Sequence, residues 1–236
     1  MKNFVACFKK YIAGFDTFIR HLCLSNLVKT FSPQTILDVG GEGSLRPFVS
    51  SKVTTLNVKS ADVQYFGFIL PFKDNSFDCV VSCDTIEHIP KESRNGFIEE
   101  FLRVARKGVV FCAPLGTPEH IQAEKNVVAK GGLDEDTLHY LNEHIDYGLP
   151  TPEEVSAMAM HNAGTVFYQG DFRKIQSGSN TRLIAYIKTI FNLLKNLATE
   201  HVVGSKHFLK TTFQSSTNRF FLMLPTQKFS HSKDSK

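Results

Sequence analysis

Ionisable side chains collect where a buried-looking strand stops, in the stretch Leu70–Pro90 (LPFKDNSFDCVVSCDTIEHIP). The apolar run Phe77–Cys83, which contains β-branched valines, is followed at once by Asp84, Glu87 and His88. In an open α/β sheet the carboxyl end of a central strand faces the crevice in which ligands bind. We therefore predict that these polar residues mark a ligand site, because at that point the strand has left the core.

A glycine-rich turn, Gly40-Gly41-Glu42-Gly43-Ser44, directly follows the short apolar strand Thr35–Val39. Where a strand feeds such a turn, the missing side chains let a ligand approach the backbone, whose free N–H groups point outward. The glycine spacing does not match the GxGxxG dinucleotide pattern, which makes a nicotinamide oxidoreductase a distant alternative. A tight turn without any ligand is the other interpretation.

Histidines are the candidates for acid–base chemistry, since imidazole titrates near neutral pH and suits a general base. The segment 115–150 carries His120, His139 and His144, and it follows a strand that should also end in the crevice. We predict His144 and His120 as the best base candidates; a surface or core-edge role is the ordinary alternative for each. Histidine and glutamate at helical spacing can also bind metal, but the scattered set defines no site, and the sequence predicts none.

The elements that must position these residues alternate between strand and helix. Nearly all-apolar strands separated by amphipathic helices predict a parallel sheet covered on both faces. No linker divides the chain, so 115–150 is interpreted as an insertion in a single domain of 1–236, between a core of 34–114 and a C-terminal part of 151–236. The predicted strands are Thr35–Val39, Lys52–Val58, Ser76–Cys83, Gly108–Pro114, Thr165–Phe172 and Arg219–Thr226, and the predicted helices are 3–30 (an N-terminal arm, part of 1–33), Glu92–Ala105, Thr151–Gly164 and 181–200.

Three stretches together resemble the class I S-adenosylmethionine-dependent methyltransferases, in particular methyltransferase type 11: ILDVGGEGS, LPFKDNSFDCVVSCDTIEHIP and FLRVARKGVVFCAP. The resemblance covers roughly residues 34–114. It implies a doubly wound, mostly parallel seven-stranded sheet, the cofactor S-adenosyl-L-methionine, and methyl transfer to a small-molecule, glycan or lipid-linked acceptor.

The resemblance also implies a set of cofactor-binding residues. In the family, the acid after the first strand, here Asp38, organises the loop that holds the methionine part, and the end of the second strand, here Asn57, meets the ribose. The implied set is Asp38, Gly40, Gly41, Gly43, Asn57, Cys83, Asp84 and His88.

The sequence departs from the family pattern at three places. Glu42 occupies the usual second glycine position, Asn57 replaces a common acid, and Gln64–Phe68 lacks an acid near the adenine, where Asp62 is the nearest one. Stacking of the adenine on Tyr65 or Phe66 is an alternative to the contact that the missing acid makes. These departures support a second hypothesis, a cofactor-binding or scaffold protein that has lost transfer activity.

The distribution of charged residues along the chain indicates which kinds of binding partner to expect. The segment 115–155 contains nine acids and two lysines. The segment 173–236 contains eleven basic residues and two acids, and the segment 1–30 contains five basic residues and one acid. An acidic acceptor region would repel phosphate, so the sequence predicts no nucleic acid partner. The two ends of the chain are basic and contain apolar helices, and the N-terminal end carries Lys2, Lys9 and Lys10. Such helices either pack in the core or make peripheral contact with an anionic membrane. Five cysteines without CxxC, and an N-terminus unlike a signal peptide, predict a cytoplasmic protein.

Overall fold

The computed structural model describes residues 10–174 and 182–226. Between residues 174 and 190, Thr189 is the one residue whose side chain it describes. It contains a seven-stranded sheet in the order β3-β2-β1-β4-β5-β7-β6. β1 to β5 run parallel, and β7 is antiparallel to both of its neighbours. The predicted fold class is confirmed. The strands are β1 Thr35–Val39, β2 Lys52–Asn57, β3 Val63–Gln64, β4 Phe77–Cys83, β5 Ala105–Pro114, β6 Thr165–Gln169 and β7 Arg219–Pro225.

The sheet is buried on both faces because successive side chains of a strand point to opposite sides. Ile36 packs into one apolar cluster and its neighbour Leu37 into the other. This two-sided burial explains why the strands read as continuous apolar runs. β3 escaped prediction because two residues carry no periodic signal. The helices are α1 Phe15–Lys29, α2 Arg94–Val104, α3 Pro118–Lys130, α4 Glu135–Tyr147, α5 Pro152–His161 and α6 Arg182–Ala198.

The N-terminal helix belongs to the core. Phe18, Cys23 and Leu24 of α1 are fully buried beside β1, β4 and β5. The predicted helix 3–30 is interrupted at Ala13 and Gly14, where Gly14 is the N-cap of α1. Phe4, Phe8, Lys2 and Lys9 lie outside the described residues, so the N-terminal part of the predicted arm is untested. The apolar side chains of α1 cover the sheet, and peripheral contact of the N-terminal segment with a membrane stays a prediction.

α6 lies against α1 on the same face of the sheet. The buried Asn196 donates from Nδ2 to the carbonyls of Tyr11 (2.9 Å) and Ala13 (3.0 Å), which fixes the chain before α1. Leu193 and Leu197 pack on the core beside α1. The opposite side of α6 leaves Phe191 63% and Leu194 62% exposed.

The insertion forms two helices, α3 and α4, each with a side-chain cap. Thr117 Oγ1 accepts from the His120 N–H, and Asp134 accepts from the Thr137 N–H, as expected of N-cap residues. Arg94 anchors the end of the insertion: its guanidinium, fully buried, donates to the carbonyls of Tyr147 (3.2 Å) and Gly148. A buried, multiply bonded arginine holds α4 at a fixed distance from the carboxyl edge of the sheet.

No helix among the described residues combines the length and the apolar character that crossing a bilayer requires.

Candidate functional site

The glycine turn is built around a buried carboxyl group. Asp38, at the end of β1, is 4% exposed. A side-chain carbon on Gly41 would lie 2.1 Å from Asp38 Oδ2, and one on Gly40 would lie 2.1 Å from Thr85 Oγ1. Gly40 also has φ +81°, a conformation that favours glycine. Both positions therefore require glycine for a physical reason.

Burial raises the pKa of the Asp38 carboxyl to about 7, while the charge of Arg46 partly offsets the shift. A carboxyl with such a pKa changes protonation near neutral pH. It is poised to become an anion when a cation approaches.

Asn57 ties β2 to the turn. Its Nδ2 donates to the Gly40 carbonyl (2.9 Å), and its Oδ1 accepts from the Val58 N–H (2.7 Å). Each amide atom keeps one further hydrogen-bonding position. The structure thus gives Asn57 a role in positioning Gly40, and its predicted contact with a ribose stays a prediction.

A cavity of about 160 Å³ opens between the turn and the end of β4. Residues from three segments line it: the α1 helix, the glycine turn and the β4 terminus. Gly43 and His88, both predicted to bind the cofactor, are not among the lining residues. The principal lining residues are Arg20, His21, Leu24, Asp38, Gly40, Gly41, Glu42, Ser44, Leu45, Cys83 and Asp84.

Asp84 forms ion pairs with two arginines at the cavity wall. Its Oδ2 pairs with Arg20 of α1 and its Oδ1 with Arg219 of β7. Burial alone would raise the pKa of Asp84, but the charges of Arg219 and Arg20 outweigh it and hold the pKa below the usual range. Asp84 has φ +54°, a strained conformation often found at functional sites.

At the Asp84 end of the cavity two basic groups surround one acid, whereas Asp38 and Glu42 add carboxyl groups elsewhere in the lining. Two guanidinium groups face one carboxylate, and burial lowers the pKa of the neighbouring His21 to about 4, so that ring is neutral. The Nε atoms of Arg20 and Arg219 are buried and have no hydrogen-bond partner in the part of the chain that the structure describes. This wall is suited to an anionic group.

A second cluster lies beyond Asp84, where Ile86–His88 meets α4. His88 Nδ1 lies 2.8 Å from Glu143 Oε2, and the His88 ring centroid lies 5.0 Å from that of His144. His144 Nδ1 lies 3.2 Å from the Glu124 carboxylate on α3. The structure therefore brings His88 to the insertion rather than to the cavity wall.

Glu87 lies under this cluster and is 1% exposed. Burial, reinforced by the negative charge of Asp84, raises its pKa well above the ordinary range. Its Oε2 has no hydrogen-bond partner within 10–174 and 182–226. Sequence reasoning singled out Glu87 by position but assigned it no role.

His120 is the more enclosed of the two base candidates. Its Nδ1 bonds to the Leu115 carbonyl (2.8 Å), its Nε2 lies 3.6 Å from Glu124 Oε1, and its ring stacks on Phe172. Glu124 thus connects His120 with His144. Neither assignment as base is decided by this geometry.

Sequence reasoning missed Arg20 and Arg219 as site residues. A usable signal exists for Arg219, since β7 begins with it opposite Pro114, the last residue of β5. An antiparallel strand starts at the edge where its parallel neighbours end. Arg20 gives no comparable signal, because its neighbours in α1 are core residues.

Comparisons with known proteins show which families and solved structures this chain resembles. Residues 44–113 match the family model described as a methyltransferase domain. The structure of the plantazolicin methyltransferase BpumL with a pentazolic desmethylPZN analog and SAH aligns at TM-score 0.54 and 10% identity, over 91% of this chain and 86% of that chain. BpumL with SAH gives TM-score 0.52 and 12% identity, over 94% and 95%. The sequence has no significant match among curated proteins.

A third structure, Haemonchus contortus phosphoethanolamine N-methyltransferase 2 with S-adenosyl-L-methionine, shares 19% identity at TM-score 0.46, over 85% of this chain. This chain spans 51% of that protein's length. Together with the strand order, the first two alignments and the domain match confirm the resemblance drawn from the sequence: the chain has the fold of class I S-adenosylmethionine-dependent methyltransferases.

Proposed function

We propose that this chain, built on the class I methyltransferase fold, binds S-adenosyl-L-methionine beside the glycine turn and transfers its methyl group to a small-molecule, glycan or lipid-linked acceptor. One observation carries the proposal. A buried carboxyl, Asp38, lies under Gly40 and Gly41 and opens onto a cavity at the carboxyl edge of the sheet, where α/β folds bind ligands. The matching fold of structures solved with S-adenosylhomocysteine supports it.

The cavity suits the methionine end of the cofactor. Its arginine wall complements the carboxylate, with Arg20 as the nearer partner on α1, and Asp38 complements the ammonium group. At about 160 Å³ the cavity is smaller than the ~300–1,000 Å³ of complete ligand sites. The ribose and adenine must therefore extend past Asn57 into the open crevice.

Methyl transfer requires alignment more than covalent catalysis. A lone pair on the acceptor oxygen or nitrogen attacks the methyl carbon, the carbon–sulfur bond breaks, and its electron pair remains on sulfur as a neutral thioether. For a hydroxyl acceptor, a base removes the proton. α3 and α4 supply the candidates His120 and His144, and they form the wall next to the β4 end that excludes water from the aligned groups.

The function is tested by S-adenosylhomocysteine binding at two pH values. Below pH 7 Asp38 is protonated and must lose its proton to pair with the ligand ammonium group, so affinity should be roughly tenfold weaker at pH 6 than at pH 8. Asp38→Asn should bind weakly at both. Calorimetry measures this, and absence of binding by the wild-type protein at both pH values would refute the function.

The raised pKa of Asp38 also predicts that stability depends on pH in the direction opposite to that of ligand affinity. Because the folded pKa of Asp38 is raised, its contribution to the free energy of unfolding is present below about pH 4 and is lost as pH rises towards 7. Asp38→Asn should therefore gain stability over wild type at pH 8 while losing ligand. Urea unfolding at pH 5 and pH 8 checks the sign.

The base prediction concerns His144 and His120. Replacing the true base by alanine should lower kcat about 10²–10⁴-fold with little change in KM for the cofactor. Each variant is assayed against wild type once an acceptor is found, with His139→Ala, 68% exposed at its side chain, as a matched control on α4. Full kcat and KM in both variants would show that neither histidine is the base.

A cofactor-binding scaffold without transfer activity is the second candidate. Glu42 at the usual glycine position, and an Asn57 amide already bonded to Gly40 and Val58, favour it. Binding of S-adenosylhomocysteine with no turnover of S-adenosylmethionine against a broad set of hydroxyl and amine acceptors would support this candidate.

Membrane contact is a separate proposal, motivated by Phe191 and Leu194 on the outer side of α6. Inserting two such side chains into a bilayer surface contributes about 1.5–3 kcal/mol each. Phe191→Ser with Leu194→Ser should therefore reduce co-sedimentation with anionic vesicles more than tenfold. Met160→Ser is the control, because Met160 is 78% exposed on the other face of the sheet. Deletion of 1–30 is unsuitable because it removes α1 from the core. Equal binding by both variants would exclude α6 as the contact.

A further inference from the structure

The second cluster contains a set of side chains that ordinary methyl transfer does not require. Glu87 and His88 sit on the short helical turn after β4, and His144 comes from α4. A potential ligand atom from each of the three lies within 4.8 Å of the others. Two distant segments of chain thus converge on one point beside the proposed cofactor site.

The polar atoms at this point are incompletely satisfied. Glu87 Oε2 and His144 Nε2 are buried and have no hydrogen-bond partner among the described residues. Glu87 as a whole is 1% exposed, and a buried carboxyl oxygen without a partner is costly. An arrangement of this kind needs a group that accepts lone pairs from both the carboxylate and the imidazole.

Outer carboxylates orient both imidazoles. Glu124 lies 3.2 Å from His144 Nδ1, which leaves Nε2 as the nitrogen that faces the cluster. Glu143 Oε2 lies 2.8 Å from His88 Nδ1, although without the alignment of a hydrogen bond. Histidines that bind metal commonly have a carboxylate on the second ring nitrogen, where it fixes the ring and raises its basicity.

We propose that Glu87, His88 and His144 bind a divalent transition metal ion, with Zn²⁺ as the first candidate. Two imidazoles and one carboxylate are a recognised zinc donor set, and three protein ligands leave a coordination position open. The sequence pattern predicted no metal, because the two histidines lie 56 residues apart (144 − 88) and only the fold joins them. Glu124 is a positioning residue in this site.

The role of the ion rests on the proposed function. An acceptor hydroxyl that occupies the open position would lose its proton to solvent at neutral pH, because a bound cation lowers the pKa of a coordinated oxygen. That oxygen then attacks the methyl carbon, and the carbon–sulfur bond breaks with its electrons on sulfur. With the ion bound, His144 Nε2 is a ligand and is unavailable as base.

A metal-free explanation exists for the same geometry. Glu87 can hold a proton and share it with His144, which would satisfy both atoms without an ion. The two explanations differ in what Zn²⁺ does to the protein, so the test titrates the metal alone, without cofactor or acceptor.

The experiment uses the full chain, freed of metal by a chelator and dialysed. Zn²⁺ binding is measured by calorimetry, and Co²⁺ binding by its visible absorption, which reports coordination. Wild type should bind one ion per chain. Glu87→Gln and His144→Ala should lose this saturable binding, and Glu124→Gln should weaken it about 10–100-fold. His139→Ala, on the same helix but outside the three ligands, should bind as wild type.

Thermal unfolding of each metal-free variant shows whether it folds; if Glu87→Gln does not, His144→Ala decides. Absence of saturable binding by wild type would overturn the proposal, and so would equal affinity in His144→Ala and wild type. Because neither cofactor nor acceptor is present, the result is independent of methyl transfer. A chain that binds Zn²⁺ but not S-adenosylhomocysteine would retain the metal site and refute the proposed function.

Discussion

Gly41→Ala is expected to abolish binding of S-adenosylhomocysteine and, with it, methyl transfer. The added methyl would lie 2.1 Å from Asp38 Oδ2, and the next nearest atoms belong to the same carboxyl group. Asp38 is buried under the turn, so either the turn or the carboxyl must move to accept the methyl. A displacement of about 1 Å at an aligned site costs roughly 100-fold in kcat/KM.

The matched control is Gly96→Ala. Gly96 lies exposed in α2, and an added methyl there meets nothing within 4 Å. This change should leave ligand affinity unaltered and stabilise the helix by about 1 kcal/mol. Calorimetry with S-adenosylhomocysteine and urea unfolding compare the two variants. Wild-type affinity in Gly41→Ala would mean that the glycine turn is structural and does not contact the ligand.

Asp84→Asn is expected to destabilise the fold more than any surface substitution. It leaves the guanidinium groups of Arg20 and Arg219 close together with no countercharge, and their side chains are only 16% and 8% exposed. Removing one partner from a fully buried ionic group costs about 3–5 kcal/mol, and because the Asp84 side chain is 31% exposed the expected loss lies below that range. Asparagine tolerates the positive φ of this position, so the effect isolates the charge.

The control for this charge effect is Asp74→Asn. Asp74 pairs with Arg103 at 2.7 Å, but its side chain is 70% exposed, so its loss should cost under about 1 kcal/mol. Urea unfolding at pH 7 measures both variants. A loss below 1 kcal/mol in Asp84→Asn would show that water or another group already compensates the two arginines.

The sequence alone was sufficient for the fold class, and it predicted where along the chain a ligand site would lie. Continuous apolar runs such as Phe77–Cys83 predict strands buried on both faces, and polar residues at their carboxyl ends predict the ligand edge. These signals are local, since each depends on neighbouring residues in the chain. The resemblance to the methyltransferases implied Asp38, Gly40, Gly41, Cys83 and Asp84 as cofactor contacts, and all five line one cavity in the structure.

Only the tertiary structure decided which distant residues complete the site. Arg20 reaches Asp84 because α1 packs on the sheet, and Arg219 reaches it because β7 runs antiparallel beside β5. No spacing in the sequence encodes the Arg20 contact, and the signal for Arg219 is limited to its position at the start of β7. The predictions for Gly43 and His88 as cofactor contacts stay untested, although neither lines the cavity.

The insertion shows the same division most clearly. The sequence indicated that 115–150 carries acids and histidines, but its weak periodicity gave no orientation for either helix. Arg94, buried beneath the carbonyls of Tyr147 and Gly148, fixes where α4 ends and therefore which way His144 faces. The convergence of His144 with Glu87 is a property of packing between segments far apart in the chain, and packing of that kind leaves no local pattern in a sequence.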